Sequence, residues 1–315
     1  MLKRNFNQSN KEYFAKYKFV LIGILAFLII GLICGTVFGM KGNFEFTGYN
    51  EFSVTISSER SDKFSQYSTD IQGIVNSYGG NYDNVSVMDE GSDTKLVIRY
   101  LNDLTDENQD KINTAIITKV TDCVVSDHIE VAPTVRAVDY VYTAVTVLIL
   151  LVIATLFACF RYNGASAIAV IISCLLGTMA YLSIGAILRL SIGLSYFAML
   201  VILNVLIIYF ALNIFEQIRL SSWLDDNKYD MAISNAMNKL KFRISLINIL
   251  IMVFGVLFVL FAPSSIKYIA LNIIFIPVVV LAVSLYVVPF VWSALITKAG
   301  NRKKSKVAKS TAEKN

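Results

Sequence analysis

The residues best placed to do chemistry in this sequence are polar side chains within, or at the ends of, long apolar runs. Three are amides and three are charged: Asn204, Asn213, Asn248, Glu216, Arg219 and Arg243. An amide in a membrane-spanning helix is costly without a partner. We therefore expect these amides to face other helices, either as interhelical hydrogen bonds or as part of a transport path.

The charged members of this set have two interpretations each. Arg243 is either part of the polar cluster or a helix-end residue that extends its charge to the membrane surface. Glu216 and Arg219 either hold the end of their helix to the following segment or a partner, or form a solvated helix end.

Other kinds of site find little support in the sequence. His128 is the only histidine, so a metal site built from several histidines is excluded. A Ser-His-Asp triad would have no other histidine to draw on. Cys34, Cys159 and Cys174 fall in apolar runs, Cys123 stands alone, and no phosphate-binding loop is present. We expect no enzyme activity, no metal and no cofactor.

The elements that carry these residues are predicted membrane spans. Hydrophobic residues make up 56% of the 315 residues and charged residues 16%, a composition typical of a membrane protein. Runs of sufficient length cover 19–40, 141–160, 165–188, 192–215, 244–262 and 269–295. We treat the first as a retained anchor because its apolar core is too long for a cleaved signal peptide. The fourth, with its polar end at Arg219, is the expected centre of the bundle.

Residues 41–136 form a polar region between the first two spans. Phe52, Val54 and Ile56 alternate as in a half-buried strand, and helical spacing follows over 62–78. Two short strands around 85–87 and 96–98, a helix opening at Thr105 and a last strand over 129–135 complete the pattern. The order β-α-β-β-α-β predicts an α+β ferredoxin-like domain.

Lysine and arginine predict the orientation. The tail 1–18, the turn at Arg161, the linker 217–243 and the disordered tail 298–315 carry 5, 1, 5 and 7 basic residues, against one each in the turns at Arg189 and Lys267. Both termini are therefore expected in the cytosol and residues 41–136 outside it. That region has 16 acidic and 8 basic side chains, and this separation of charge indicates two compartments and not a nucleic-acid binder.

Several short stretches resemble one family. Residues 42–48 (GNFEFTG) are similar to the GxDFTGG stretch after the first span of SecF proteins, and residues 131–135 (VAPTV) to their VGPxV entry to the second span. Residues 161–162 and 215–219 (FEQIR) resemble the RF turn and the FDRIRE end of the fourth span. Their joint order, over residues 15–297, identifies the chain as a divergent SecF of the SecD/SecF protein-export family, in the RND superfamily.

The resemblance implies a fold and a set of functional residues. The fold is a six-span RND-type half bundle with an extracytoplasmic ferredoxin-like domain. The hinge of that domain would lie at Glu45, Phe46, Thr47, Gly48 and Pro133, although a plain strand start also fits this stretch. The family's intramembrane acids fall at Gly177 and Phe210 here, and amides cannot relay protons. Proton coupling by this subunit alone is therefore not expected.

Three functions remain open at this point. The first, implied by the resemblance, is an accessory subunit of the Sec translocase in the bacterial cytoplasmic membrane. Its partners would be a SecD-type subunit, the SecYEG channel, the translocating preprotein and membrane lipid. The second is half of an RND-like exporter of lipids or small molecules. The third is a membrane assembly factor without transport. A single half-repeat favours the first, because such bundles are built from two related halves.

Overall fold

The computed structural model describes residues 2–39, 48–57, 64–79, 82–90, 93–100, 104–120, 123–133, 137–190, 193–224, 229–261 and 267–296. Two compact units make up the chain, one of Gly42–Ala137 and one of Met1–Lys41 with Val138–Asn315. In chain order, the elements are α1 (Leu2–Phe38), β1 (Tyr49–Ser57), α2 (Phe64–Ser77), β2 (Tyr82–Glu90), β3 (Asp93–Tyr100), α3 (Asp106–Lys119), β4 (Cys123–Val125), β5 (Ile129–Val131), α4 (Ala137–Arg161), α5 (Gly164–Ile187), α6 (Leu194–Leu224), α7 (Tyr229–Phe261) and α8 (Lys267–Ala282).

The larger unit is a bundle of helices that are apolar enough to cross a membrane. Within the described residues, the six spanning stretches are Phe19–Val37, Val138–Arg161, Gly164–Ile187, Leu194–Leu220, Ala236–Phe261 and Ile269–Ile296. Buried residues make up 56, 44 and 50% of the apolar windows of α5, α6 and α8, but only 6, 11 and 17% of those of α1, α4 and α7. The bundle interior is therefore built on α5, α6 and α8, and the other three helices present apolar faces outward.

Small residues allow helices of this unit to approach closely. Gly31 of α1 lies against Ser183 of α5, and a Cβ atom on Gly35 would lie 3.6 Å from the Cβ atom of Ala186. The spacing of the two glycines matches the small-xxx-small pattern that lets membrane helices approach closely. At another contact, a Cβ atom on Gly255 of α7 would lie 2.9 Å from Cγ1 of Ile274.

Two helices extend well beyond the predicted spans, which corrects the interpretation of residues 217–243 as a linker. α6 continues to Leu224 and α7 already begins at Tyr229. The apolar residues of this segment are buried at helical spacing: Ile218, Ile233, Ala236, Met237 and Leu240. The low mean hydropathy of the segment predicted a linker between spans, whereas its amphipathic period fits helices that continue beyond the candidate spans.

The last helix changes its pitch partway along. Pro277 lies inside α8, which continues through a π-helical turn at Val283–Val287 to residue 296. The N–H group of Val288 donates to the carbonyl oxygen of Val283. Pro289 lacks a backbone N–H group, so the wider turn lies where the α-helical hydrogen-bond ladder would be broken in any case.

The smaller unit has the split βαβ topology predicted from the sequence. The sheet order is β2-β3-β1-β4, with β5 also paired to β1, and these four strand pairs are antiparallel. One face of the sheet packs on α2 and α3 through a continuous apolar core: Phe52, Val54, Ile56, Ile71, Val75, Leu96, Ile98, Tyr100, Ile112, Ile116 and Val120. This confirms the expected fold class, a polytopic helical membrane protein with a ferredoxin-like domain.

The predicted last strand over 129–135 is wrong in its extent. Among the described residues of that range, only Ile129–Val131 (β5) is a strand, and it pairs with Tyr49–Glu51 of β1. The strand β4, which pairs with Val54–Ile56 of β1, was not predicted. Between β4 and β5, the N–H group of Ser53 donates to Oγ of Ser126 at 2.8 Å. This side-chain bond takes the place of a ladder contact and interrupts the strand.

Candidate functional site

The amides predicted within the spans are not equivalent. Asn204 of α6 is buried, and its Nδ2 donates to Oγ1 of Thr178 on α5 at 3.0 Å and to the carbonyl oxygen of Leu200 at 2.9 Å. Asn213 donates only to the carbonyl oxygen of Tyr209 in its own helix, at 2.8 Å. Of these two, therefore, only Asn204 joins two helices among the described residues.

Asn248 of α7 is fully buried and only half satisfied. Its Nδ2 donates to the carbonyl oxygen of Ile244 at 2.8 Å, while its Oδ1 has no hydrogen-bond partner among the described residues. The hydroxyl oxygens of three other bundle residues are also buried without a hydrogen-bond partner among the described residues: Thr155, Ser173 and Ser284. Their chemistry is that of neutral donors and acceptors, without a group that titrates near neutral pH.

Among the described residues, two hydrogen bonds between α5 and α8 were not predicted from the sequence. The hydroxyl group of Tyr181 donates to Oδ1 of the buried Asn272 at 2.8 Å, which joins α5 to α8. Nε1 of Trp292 donates to Oγ of Ser166 at 3.0 Å, which joins the same two helices again. Asn272, like Asn204, is an amide within a long apolar run. The criterion that selected Asn204 from the sequence could therefore have selected Asn272 as well.

The charged residues lie at the ends of the helices. Glu216 of α6 pairs with Arg161 at the end of α4, with 3.3 Å between Oε1 and NH2, so its partner is not the following segment. Arg219 lies three residues beyond Glu216 in the same helix. Arg243 is exposed, and it lines a small cleft between α6 and α7 together with Asn213.

The positions at which the family resemblance places acids are occupied by packing contacts. A Cβ atom on Gly177 would contact Cδ1 of Ile207 and lie 3.6 Å from Cγ2 of Val283. Phe210 is 2% exposed. A larger side chain at position 177 would have to displace the end of the Ile207 side chain, and an apolar ring fills position 210, so neither position carries a group that can titrate.

Part of the predicted hinge forms one contact in the smaller unit. Gly48 is buried with φ +71°, and a Cβ atom there would lie 2.8 Å from the carbonyl oxygen of Val131 and 3.1 Å from Cδ of Pro133. The sequence candidates Gly48 and Pro133 are therefore brought together. Glu45, Phe46 and Thr47 lie outside the described residues.

These features define a class: a multi-pass helical membrane protein with a ferredoxin-like domain inserted after the first span and a bundle interior of neutral polar groups. The solved structures that share this fold include two of SecDF. The crystal structure of SecDF in a super-membrane-facing form is 16% identical in sequence with a TM-score of 0.74, and it matches 91% of this chain. The crystal structure of SecDF from Thermus thermophilus, described as a translocon-associated membrane protein, is 16% identical with a TM-score of 0.64 over 90% of this chain.

The chain therefore has the SecDF-type fold. It spans about two fifths of the length of those SecDF chains, 39 and 38%. No protein-family model matches the sequence, and no curated protein matches it either.

Proposed function

We propose that this protein is an accessory subunit of the Sec protein translocase, of the SecF type. It would pair with a SecD-type subunit, associate with the SecYEG channel, and assist the movement or release of preprotein. The observation that carries the proposal is the SecDF-type fold, which extends over both the bundle and the ferredoxin-like domain of this chain.

The proposed orientation follows from the charges of the sequence. Basic residues concentrate in the two tails and around Arg219 and Arg243, so these parts lie in the cytosol of a bacterial cell. Residues 41–136 then lie on the outer side, where the domain would hold or shield the emerging preprotein. Gly48 and Pro133, packed together where the domain begins and ends, would form its hinge.

The need for a partner is supported by the surface of the bundle. α4 exposes most of its apolar side chains, among them Leu148 at 59% and Ile153 at 62%. A second bundle of the same kind would cover apolar helix faces of this length and leave the remainder to lipid.

Co-purification tests the proposal. The tagged full-length chain is extracted from membranes of its own cell in a mild detergent, with an unrelated tagged six-span protein as control. We expect mass spectrometry to identify a SecD-type protein and SecYEG with this chain only, and we expect slower preprotein processing in a pulse-chase experiment when the chain is deleted. A monomer without these partners, together with normal processing in the deletion strain, would exclude the function.

A further inference from the structure

A small cleft lies at the basic end of α6 and α7, the end that holds Arg219 and Arg243. Asn213 and Tyr209 form its α6 side, and Arg243, Ile244 and Ile247 form most of its α7 side. The cleft is therefore polar at one end and apolar at the other. The cleft has a volume of only about 10 Å³, so a ligand would lie over it and contact its polar and apolar groups from the surface.

Arg243 supplies the charge of this cleft. Its side chain is exposed, and none of the ion pairs among the described residues involves it. The nearest acid along α6 is Glu216, one turn beyond Asn213, and that carboxylate pairs with Arg161. Among the described residues, no carboxylate pairs with Arg243, so its positive charge is available to an anion.

The position of Arg243 along α7 indicates headgroup depth. The charge-free run of α7 begins at Ile244, directly after it, and Lys239 and Lys241 precede it on the exposed surface. Phe242, between the cations, is 73% exposed. Exposed aromatic and basic side chains at the end of an apolar run are typical of the membrane–water interface.

An apolar track continues from Arg243 towards the membrane interior. Ile247, Leu250 and Phe254 follow Arg243 at four, seven and eleven residues, which places all four on one face of α7. Leu250 and Phe254 are 59 and 60% exposed. This face can hold an acyl chain below a headgroup at Arg243.

We propose that the cleft binds the phosphate group of an anionic membrane lipid. Arg243 donates a charge-assisted pair of hydrogen bonds to the phosphate oxygens. Asn213 contributes the second hydrogen of its Nδ2, since only one is used on the carbonyl oxygen of Tyr209. The acyl chain lies along Ile247, Leu250 and Phe254. The proposal rests on the cleft and does not depend on the function proposed above.

Lipid binding to the full-length chain tests the proposal. Native mass spectrometry of the purified chain, titrated with phosphatidylglycerol or with phosphatidylcholine, gives the affinity for each lipid. We expect phosphatidylglycerol to bind more tightly, and Arg243→Gln to weaken it by a factor of about ten or more, the loss of a charge-assisted hydrogen bond to the phosphate group, and by more than Lys241→Gln does. Arg243→Lys should restore part of the affinity. Lys241→Gln is the matched control, because it removes the same charge from a lysine that bonds to Asn238.

A second variant keeps the test valid if Arg243→Gln does not fold. Ile247→Trp fills the apolar part of the cleft and leaves the arginine in place, and it should also weaken phosphatidylglycerol binding. Equal losses for Arg243→Gln and Lys241→Gln would overturn the proposal, since they would indicate general attraction to basic residues. Equal binding of the two lipids would overturn it as well. Displacement of the lipid by inorganic phosphate at the same concentration would assign the cleft to a free phosphate group and not to a lipid.

Discussion

His128, the only histidine of the chain, connects the sheet of the ferredoxin-like domain to α3. Its Nδ1 lies 2.8 Å from the hydroxyl group of Tyr100, and its Nε2 lies 3.0 Å from Oδ1 of Asn113. The side-chain oxygen of Asn113 can only accept a hydrogen bond, so Nε2 of His128 carries the proton. Nδ1 of His128 then accepts a hydrogen bond from the hydroxyl group of Tyr100. The ring also packs on Phe52, with 4.5 Å between the ring centroids. The neutral imidazole is therefore fully bonded.

This arrangement predicts that the domain loses stability in acid. Burial lowers the pKa of His128, against the opposing effect of Asp110 and Asp127. The unfolded chain then binds a proton at a higher pH than the folded domain does. Stability is therefore complete above the unfolded pKa and decreases as the pH falls below about 6.5, by at most about 1.4 kcal/mol per pH unit.

Hydrogen exchange measures this effect in the full chain. We expect peptides from 93–100 and 104–133 to exchange faster at pH 5.5 than at pH 7.5, after correction for the intrinsic rates. His128→Gln should remove the difference, although it also lowers stability at neutral pH by loss of ring packing. The same acid dependence in this variant would show that another group causes it.

At the residue scale, the sequence predicted which side chains are unusual but not which of them meet. Asn204 was identified as a buried amide, and it does bond to a neighbouring helix. The partners of His128 lie 28 and 15 residues away in the chain. Such contacts depend on strand register and helix position, which periodicity alone does not determine.

At the scale of elements, the contact between α1 and α5 depends on the absence of a side chain at Gly31. Gly31→Leu should force α1 away from Ser183, at a cost of about 1–3 kcal/mol, the range of overpacked interiors. Gly23→Leu is the matched control, because nothing lies within 4 Å of a Cβ atom at Gly23 in the same helix. Thermal unfolding in detergent should show a lower midpoint for Gly31→Leu only. An equal loss in both variants would indicate that leucine itself, and not the contact, destabilises α1.

The elements show where sequence patterns are sufficient. The alternation of Phe52, Val54 and Ile56 predicted a half-buried strand, and all three side chains lie in the core of the ferredoxin-like domain. Hydropathy did not predict the ends of α6 and α7. It indicates which part of a helix is apolar enough to lie in a membrane, but not the residue at which the helix ends. The break between β4 and β5 depends on the bond between Ser53 and Ser126, which joins residues 73 positions apart.

At the scale of the whole molecule, the bundle interior determines what the protein can contribute to energy conversion. Among the described residues of the spans, the acids are Asp139, in the first turn of α4, and Glu216, near the basic end of α6. Between these ends the interior holds amides, hydroxyl groups and aromatic rings. These groups form hydrogen bonds but do not change charge near neutral pH, so they can hold helices together without relaying protons.

If the protein acts in export as proposed, its stimulation should therefore not require protonation within its own spans. The double variant Asp139→Asn with Glu216→Gln removes both acids at the ends of the spans. Glu216 is partly exposed and paired with Arg161, so its loss should change assembly only slightly. Export into sealed vesicles, with and without a proton gradient, should respond to the gradient as much with the double variant as with the unchanged chain. Neutralising the intramembrane acids of the SecD-type partner should abolish that response. If the response instead survives in the neutralised partner and disappears in the double variant, then this chain carries its own proton path and the packing around Gly177 and Phe210 does not exclude one.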